Sequence, residues 1–440
     1  MTREELAARG WLDRDPPLDI LLVSGDAYVD HPAFGAAVIG RVLEARGYRV
    51  GLIAQPVWDR PDDVMRLGRP RLFAGVTAGN LDSMLNKFTA QRKVRSDDAY
   101  SPGGRADQRP KRATIVYANL LRQAFPGLSI ILGGIEASLR RLAHYDYWSD
   151  TVRRSILLDA KADLLIFGMG EHAVSEVAER MSSGERVDDI RDLQGSAFAL
   201  GKGHWESMET SQDLGDKRPV LLPSYEAVRE DVAAFSEMSR LFAREANPGN
   251  ACPLIQPHGE RAVFCNPPGE PLDTAALDAV YDLPFTRRPH WTYGQETIPA
   301  LETVKHSIVT TRGCFGGCTF CSIAAHEGRQ VQSRSAASVL REVRALSARD
   351  DFHGTLTDVG GPTANMYRMG CESRRIERAC RRRSCVYPKI CTHLKTDHGP
   401  LLKLLRAIRK EPGLRHVFIA SGIRMDLAER SPEFIAEVAA

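Results

Sequence analysis

Three cysteines, Cys314, Cys318 and Cys321, lie within eight residues of the chain. Three and then two residues separate them, so one short loop can present three thiolates to one metal centre. This suits a cubane iron–sulfur cluster, because its fourth iron stays open to another ligand. Four-thiolate zinc sites usually contain two Cys-x-x-Cys pairs, and this loop has one. The spacing therefore favours a 4Fe–4S loop over the alternatives, a structural zinc loop or three unrelated buried thiols.

Glycines surround these cysteines, and a strand-like stretch at 306–310 precedes them. Gly313, Gly316 and Gly317 allow the tight turns that bring backbone amides close to cluster sulfurs. The loop is therefore predicted to start at the end of a strand.

A second group of four cysteines follows: Cys371, Cys380, Cys385 and Cys391. Four thiolates can hold a zinc ion or an auxiliary iron–sulfur cluster. The gaps of eight, four and five residues fit no standard template, so free thiols near a redox centre remain the alternative.

Six arginines accompany this second group: Arg374, Arg375, Arg378, Arg381, Arg382 and Arg383. Such a run can bind RNA phosphates or an acidic protein. A solvated helix face is the more ordinary explanation, and we favour it.

The composition is that of an ordinary globular protein, with 43% hydrophobic and 26% charged residues. The net charge of +3 gives no reason to expect a nucleic acid partner. We see neither a signal peptide nor an apolar run of membrane-spanning length, and we expect a cytoplasmic protein. Seven of the nine cysteines lie between 314 and 391, which favours metal binding in a reducing compartment over a disulfide framework. Cys252 and Cys265 are expected to be buried thiols.

The first 195 residues alternate between strands and helices. Apolar runs at 19–25, 50–54, 72–76, 129–134 and 163–168 are separated by helical patterns. This predicts an α/β fold with an open parallel sheet of Rossmann type. The residues at the carboxyl ends of its strands would be Gly25, Gly79, Gly133, Gly134 and Gly168. The polar segment 95–112 is expected to be a surface loop, or an active-site flap.

Three regions follow from these patterns. Residues 1–195 form the N-terminal domain, and the proline-rich stretch 196–300 is a connector with one amphipathic helix at 225–244. Residues 301–440 show about three β/α units, roughly half of a partial TIM-like barrel. Ser431 and Pro432 begin a last helix with no later strand after it, so we expect the barrel to be truncated.

Two further stretches follow predicted strands of this third region. Gly360, Gly361 and Pro362 come after the second strand, where glycines leave the backbone accessible to a ligand. Ser421 and Arg424 follow the third strand, and an arginine can bind a carboxylate through two hydrogen bonds. An ordinary tight turn and ordinary surface residues are the alternatives.

The chain resembles the YgiQ-type family of radical S-adenosylmethionine (SAM) proteins. The Cys-x-x-x-Cys-x-aromatic-Cys loop resembles that of the radical SAM superfamily. Further stretches of the chain resemble the YgiQ-type family in particular. These stretches lie at 30–35, 98–104, 133–138, 144–150 and 360–367. The resemblance covers nearly the whole chain, although family members continue past residue 440.

The resemblance implies a radical SAM enzyme of unknown substrate. A reduced 4Fe–4S cluster on Cys314, Cys318 and Cys321 would cleave SAM to a 5′-deoxyadenosyl radical, with electrons from a partner such as flavodoxin or ferredoxin. The predicted SAM-binding residues are Phe320, Gly360, Gly361, Pro362, Ser421 and Arg424. Within this set Phe320 is expected to face the adenine, with core packing as its alternative. A non-catalytic iron–sulfur protein that senses redox state or holds a partner is the alternative function.

The N-terminal sheet also resembles the cobalamin-binding domains that precede several radical SAM barrels. Those domains ligate cobalt through Asp-x-His-x-x-Gly, whereas this chain has Asp30-His31 and then Gly35. The histidine lies one position early. We therefore expect the fold of a cobalamin-binding domain, but we do not expect cobalamin to bind.

Overall fold

The computed structural model describes residues 1–201, 205 and 218–439, so part of the expected connector lies outside the described residues. The chain divides into two compact units. The first comprises Met1–Gly269 and Phe285–Pro299, and the second comprises Glu270–Pro284 and Ala300–Ala440. In the described ranges no helix has both the length and the apolar character that a membrane span requires.

The described part of the first unit contains eleven strands. They are β1 (Ile20–Ser24), β2 (Val50–Ala54), β3 (Phe73–Thr77), β4 (Ser129–Leu132), β5 (His144–Asp146), β6 (Thr151–Arg153), β7 (Leu164–Ile166), β8 (Ser196–Leu200), β9 (Val220–Leu221), β10 (Leu254–His258) and β11 (Arg261–Cys265).

Nine of these strands form one sheet in the order β2-β1-β3-β4-β7-β8-β11-β10-β9, while β5 and β6 pair as a separate hairpin. The first five strands in this order, β2-β1-β3-β4-β7, are parallel to one another. In β1, Ile20 lies opposite Val50 on one side and opposite Phe73 on the other. The next pairings, β7–β8, β8–β11 and β11–β10, are antiparallel. The open parallel α/β sheet predicted for the N-terminal region is therefore confirmed, and antiparallel strands extend it.

Both faces of this sheet are buried, which is why its parallel strands are apolar at every position. In β1, Leu21 and Val23 enter one core, and Ile20 and Leu22 enter the other. The unit's helices flank these cores or connect the strands. Those of the described ranges are Arg3–Ala8, Gly35–Ala45, Asp62–Met65, Ser83–Lys87, Ala113–Ala124, Gly134–Leu139, Ile156–Asp159, Glu171–Ser182, Tyr225–Glu230 and Val232–Arg244, with short 3₁₀ turns at Pro102–Gly104 and Trp291–Tyr293.

The structure differs from the expected domain boundaries. The region 196–300 is not a separate connector, because β8 to β11 continue the N-terminal sheet. Its predicted helix is two helices, since Asp231 is extended and its side chain caps the second of them by accepting from the Ala233 N–H. Prolines concealed the strands, because Pro257 lies inside β10, which pairs with β11 across Leu254–Cys265.

The segment 95–112 is anchored rather than free to move as a flap. Arg109 within it is buried and forms ion pairs with Asp26 at 2.5 Å and Asp98 at 2.9 Å. Arg109 also donates to the Ala78 carbonyl at 3.2 Å. The loops after β1 and β3 are thereby tied to this segment.

The second unit has eight strands in its described part. They are β12 (Ser307–Val309), β13 (Thr311–Arg312), β14 (Gln332–Ser333), β15 (Thr355–Leu356), β16 (Asp358–Gly360), β17 (Gly370–Cys371), β18 (Leu394–Lys395) and β19 (His416–Val417). Its helices are Thr274–Tyr281, Pro299–Val304, Ile323–His326, Ala336–Ser347, Arg374–Ala379, Gly399–Arg409, Met425–Ala428 and Pro432–Ala439, with a 3₁₀ turn at Ala364–Met366.

The pairings β12–β16 and β15–β19 are parallel, as strand–helix alternation requires. Helices Ala336–Ser347 and Gly399–Arg409 provide the crossovers. Their apolar faces pack in one core with Ile308, Leu356 and Val359 from the strands. The predicted β/α alternation of this region is confirmed, although its third strand is regular only at His416–Val417.

We predict that Arg109→Met destabilises the protein by about 3–5 kcal/mol, because it leaves the carboxylates of Asp26 and Asp98 buried without their cation. Urea denaturation monitored by circular dichroism measures this loss. Arg105→Met is the matched control, since Arg105 pairs with Glu296 on the exposed surface at 2.6 Å. It should change stability far less than Arg109→Met does, because an exposed ion pair contributes little. Equal losses in the two variants would show that the buried ion pairs of Arg109 contribute no more to stability than the exposed pair does.

Candidate functional site

The three-cysteine loop starts at the end of β13 and turns on two glycines with positive φ. Gly313 has φ +78° and Gly317 has φ +66°. At Gly313 a Cβ would overlap the Gln330 carbonyl oxygen, and at Gly317 it would lie 2.5 Å from the Arg383 carbonyl oxygen. The loop path therefore requires glycine at both positions.

Hydrogen-bond donors surround the sulfurs of this loop. The Gly316 N–H donates to Cys314 Sγ at 3.4 Å, and the Thr363 hydroxyl lies 3.5 Å from the same sulfur. Arg424 Nη1 donates to Cys318 Sγ at 3.5 Å. Donors to sulfur stabilise thiolates and influence the potential of a cluster bound to them.

These residues fit a cubane cluster. Cys318 is exposed, Cys314 and Cys321 are half-buried, and none of the nine cysteines, all of which lie in the described part of the chain, is in a disulfide. No three His, Cys, Asp or Glu side chains of the described residues converge on one metal ion. Cubane ligands need not converge in that way, because each thiolate binds a different iron.

Phe320 lies beside these cysteines with 91% of its surface exposed. Core packing, the alternative considered for this residue, is therefore wrong. Contact with an adenine ring stays a prediction.

Asp358 joins the loops that follow two of the parallel strands. Its Oδ1 accepts from the backbone N–H groups of Ala420 and Ser421 at 2.8 and 3.0 Å, and its Oδ2 accepts from the Ser421 hydroxyl. The space between the loops is filled, since a Cβ on Gly360 would lie 2.5 Å from Ser421 Oγ. Asp358 thus sets the position of Ser421, a role that its sequence context did not reveal.

The Gly360 carbonyl is already engaged within the chain. It accepts from both the backbone N–H and the hydroxyl of Thr310, at 2.7 and 3.0 Å. A carbonyl oxygen has two lone pairs, so this one is not open to a cofactor's amino group. The backbone of Gly361 and Pro362 remains for that role.

Asn365 joins the same turn to Arg424. Its Oδ1 accepts from the Arg424 N–H at 2.9 Å, and its Nδ2 donates to the Arg424 carbonyl at 3.0 Å. The backbone at Arg424 is thereby held on both sides. The sequence does not indicate that Asn365 positions Arg424, because the two residues lie 59 positions apart in the chain.

The Arg424 side chain forms an ion pair with Asp426. The hydrogen bonds that Arg424 donates to the Asp426 carboxylate raise the pKa of Arg424 and lower the pKa of Asp426. A ligand carboxylate at Arg424 would therefore compete with Asp426.

The second cysteine set, defined as Cys371, Cys380, Cys385 and Cys391, packs against the three-cysteine loop. The Cys385 N–H donates to the Phe315 carbonyl at 3.0 Å, and the Ser384 hydroxyl donates to the Gly316 carbonyl at 2.7 Å. The sequence does not indicate this proximity, because about 70 residues separate the two segments.

Two of the six neighbouring arginines are bound to the chain itself. Arg382 donates to the carbonyls of Ser384 and Lys389 at 3.2 and 3.1 Å, and Arg378 pairs with Glu270 at 3.0 Å. These contacts give the two arginines structural roles.

His31 does not fit a cobalt ligand in this structure. It is buried, its Nδ1 accepts from the Ala33 N–H at 3.0 Å, and its Nε2 lies 2.9 Å from Arg287 Nη1. In doubly wound sheets ligands bind where the strand order reverses, here between β1 and β3. The cavity there, lined by residues including Asp26 and Asn80, has a volume of about 10 Å³, the size of one water.

Known families match both parts of this chain. Residues 1–307 match the family described as radical SAM N-terminal, and residues 308–440 match the radical SAM superfamily. With its α/β fold and three-cysteine loop, the protein is of the radical SAM class. It belongs to the YgiQ-type family within that class.

Curated relatives align along the whole chain. A UPF0313 protein of Bradyrhizobium diazoefficiens is 50% identical, one of Rhodopseudomonas palustris is 51% identical, and the UPF0313 protein YgiQ of Salmonella typhimurium is 48% identical. The chain spans 66% of the length of each of these three and 62% of a relative from Shewanella oneidensis.

Among solved structures, the chain is similar to the radical SAM methyltransferase TsrM of Kitasatospora setae. The match has a TM-score of 0.40 at 16% identity and covers 78% of this chain and 47% of that one.

We predict that Gly361→Ala destabilises the second unit by about 1–3 kcal/mol, because its Cβ would lie 2.5 Å from the backbone oxygen of Thr311. Gly370→Ala is the matched control, as no atom lies within 4 Å of its added Cβ. It should change stability by less than about 0.5 kcal/mol. Thermal unfolding of both variants measures the difference, and equal melting temperatures would show that the turn tolerates a side chain.

Proposed function

We propose that the protein is a SAM-cleaving iron–sulfur enzyme, with its cluster on Cys314, Cys318 and Cys321. One observation carries this proposal: the three thiols share one glycine-turned loop, and two of them contact side chains from the turns at Thr363 and Arg424. The loop that would hold the cluster thus meets the two turns that would hold SAM.

When bound, the cluster and SAM supply a 5′-deoxyadenosyl radical by reductive cleavage. The chain's own residues bind and orient. Gly361 and Pro362 offer backbone to the amino group, and Arg424 offers its guanidinium to the carboxylate. Asp358 accepts the hydrogen bond of the Ser421 hydroxyl and so holds Ser421 beside the turn at Gly360. This position supports a role for Ser421 beside the ribose.

The exposed Phe320 supports a role as a movable cover over the adenine. At 91% exposure the ring buries little surface before ligand binding, so closing over a base would gain apolar contact.

A low-potential electron donor such as flavodoxin or ferredoxin is part of the proposal. The exposed sulfur of Cys318 supports it, because electron transfer from a partner requires a cluster close to the surface. The thiol state of all nine cysteines supports the cytoplasm as its location.

The second candidate is a non-catalytic iron–sulfur protein that senses redox state. The half-exposed thiols of the loop favour it as much as they favour catalysis. SAM separates the two candidates, since only the enzyme requires an open iron that SAM can ligate.

Cys318→Ser should abolish 4Fe–4S assembly, because two thiolates do not hold a cubane in place. Iron and sulfide are measured after anaerobic reconstitution, and the electron paramagnetic resonance spectrum of the reduced protein is recorded with and without SAM. Cys252→Ser is the control, since Cys252 lies in the first unit, and it should retain the wild-type iron content and the SAM-dependent spectral change.

Wild-type iron content in Cys318→Ser would reject the cluster assignment. A cluster whose spectrum does not respond to SAM would favour the redox sensor. Formation of 5′-deoxyadenosine with dithionite would establish the enzyme.

A further inference from the structure

The second cysteine set is gathered by a small hairpin rather than scattered along a loop. Cys371 lies in β17, which pairs with β18 so that Cys371 is opposite Leu394. The Leu394 N–H donates to the Cys391 carbonyl at 3.0 Å, and the Cys391 N–H donates to the Cys385 carbonyl at 2.8 Å. Both ends of this 21-residue segment are thereby brought together.

Arg329 lies among these thiols. Its Nη2 donates to Cys380 Sγ at 3.6 Å, and its side chain also hydrogen-bonds Cys385. Glu377, close enough to Arg329 to feel its charge, accepts the backbone N–H of Cys371. One guanidinium thus connects three of the four cysteines, directly or through one carboxylate.

The electrostatics suit thiolates that bind a metal. Four thiolates around a cubane leave a net negative charge that a nearby cation stabilises. Arg329 supplies that cation, and the Arg382 N–H donates to Cys380 Sγ at 3.5 Å.

We propose that Cys371, Cys380, Cys385 and Cys391 form a second metal centre, a four-thiolate site separate from the cluster loop. We propose an iron–sulfur cluster at this centre, because its thiolates each bind a different iron, whereas no three His, Cys, Asp or Glu side chains of the described residues converge on one ion. The proposal does not depend on the function proposed above, because the two sites share no ligand.

The second centre would also support the first. Cys385 and its neighbour Ser384 donate to the carbonyls of Phe315 and Gly316, which lie between the first two cysteines of the cluster loop. A metal that fixes Cys385 therefore also fixes the backbone on which Cys314 and Cys318 are presented.

The test removes the first site in order to isolate the second. A variant with Cys314, Cys318 and Cys321 all replaced by serine is purified anaerobically, and its zinc, iron and sulfide are measured before and after reconstitution with ferrous iron and sulfide. We expect about four irons with matching sulfide per chain after reconstitution. About one zinc per chain without iron would overturn the cluster, because a single zinc ion requires the thiols to converge on one point.

Two further variants test where that metal is bound. Adding Cys380→Ser and Cys391→Ser to the triple variant should remove it, whereas adding Cys252→Ser should not. Circular dichroism shows whether each variant folds. Metal in the triple variant at no more than the level of a chain that lacks both cysteine sets would overturn the proposal, as would metal that survives loss of Cys380 and Cys391.

An Arg329→Met variant of the wild-type chain provides a second, milder test. It keeps all thiols and removes the cation, so the second metal should be lost more readily to a chelator than in the wild type. Unchanged chelator sensitivity would remove Arg329 from the proposal.

Discussion

Parallel strands deliver their following loops to the same edge, and in the second unit three contacts hold those loops in place. Thr310 donates twice to the Gly360 carbonyl, and Asp358 accepts from the backbone and hydroxyl of the loop at Ser421. The backbone N–H of Ala364 also donates to the Gly422 carbonyl at 2.9 Å. Every proposed cofactor contact depends on this arrangement, because the cysteine loop and both glycine-containing turns extend from it.

The first unit depends on a different kind of constraint. Its strand-end loops meet over a buried arginine with two carboxylates rather than over a crevice. Burial raises the pKa of Asp26, while the guanidinium of Arg109 opposes that effect. Charges buried in this way are costly to separate, so this edge of the sheet is held closed by its own side chains.

Local patterns predicted much of this molecule. The parallel strands were evident because both of their faces are buried and their sequences are accordingly apolar, as in Ile20–Ser24. The cysteine loop was evident because all three ligands lie within eight residues. By contrast, β10 was missed because Pro257 interrupts its pattern, although its carbonyls and the remaining N–H groups still pair with β11.

What escaped prediction in the site was non-local. Asp358 and Ser421 meet across 63 positions, and Ser384 and Gly316 across 68. No periodicity records such contacts. The engaged carbonyl of Gly360 is of the same kind, since a glycine pair indicates an accessible backbone without indicating which of its carbonyls another strand has already taken.

The cluster loop combines a clamped backbone with accessible sulfurs. Its carbonyls at Phe315 and Gly316 accept hydrogen bonds from the segment at 384–385. Cys318 and Phe320, by contrast, are exposed to solvent. A loop built in this way does not have to fold around its cofactor. Its open side can be reached from solvent while the backbone keeps its folded path, so a cofactor can bind to or leave a loop that is already in place.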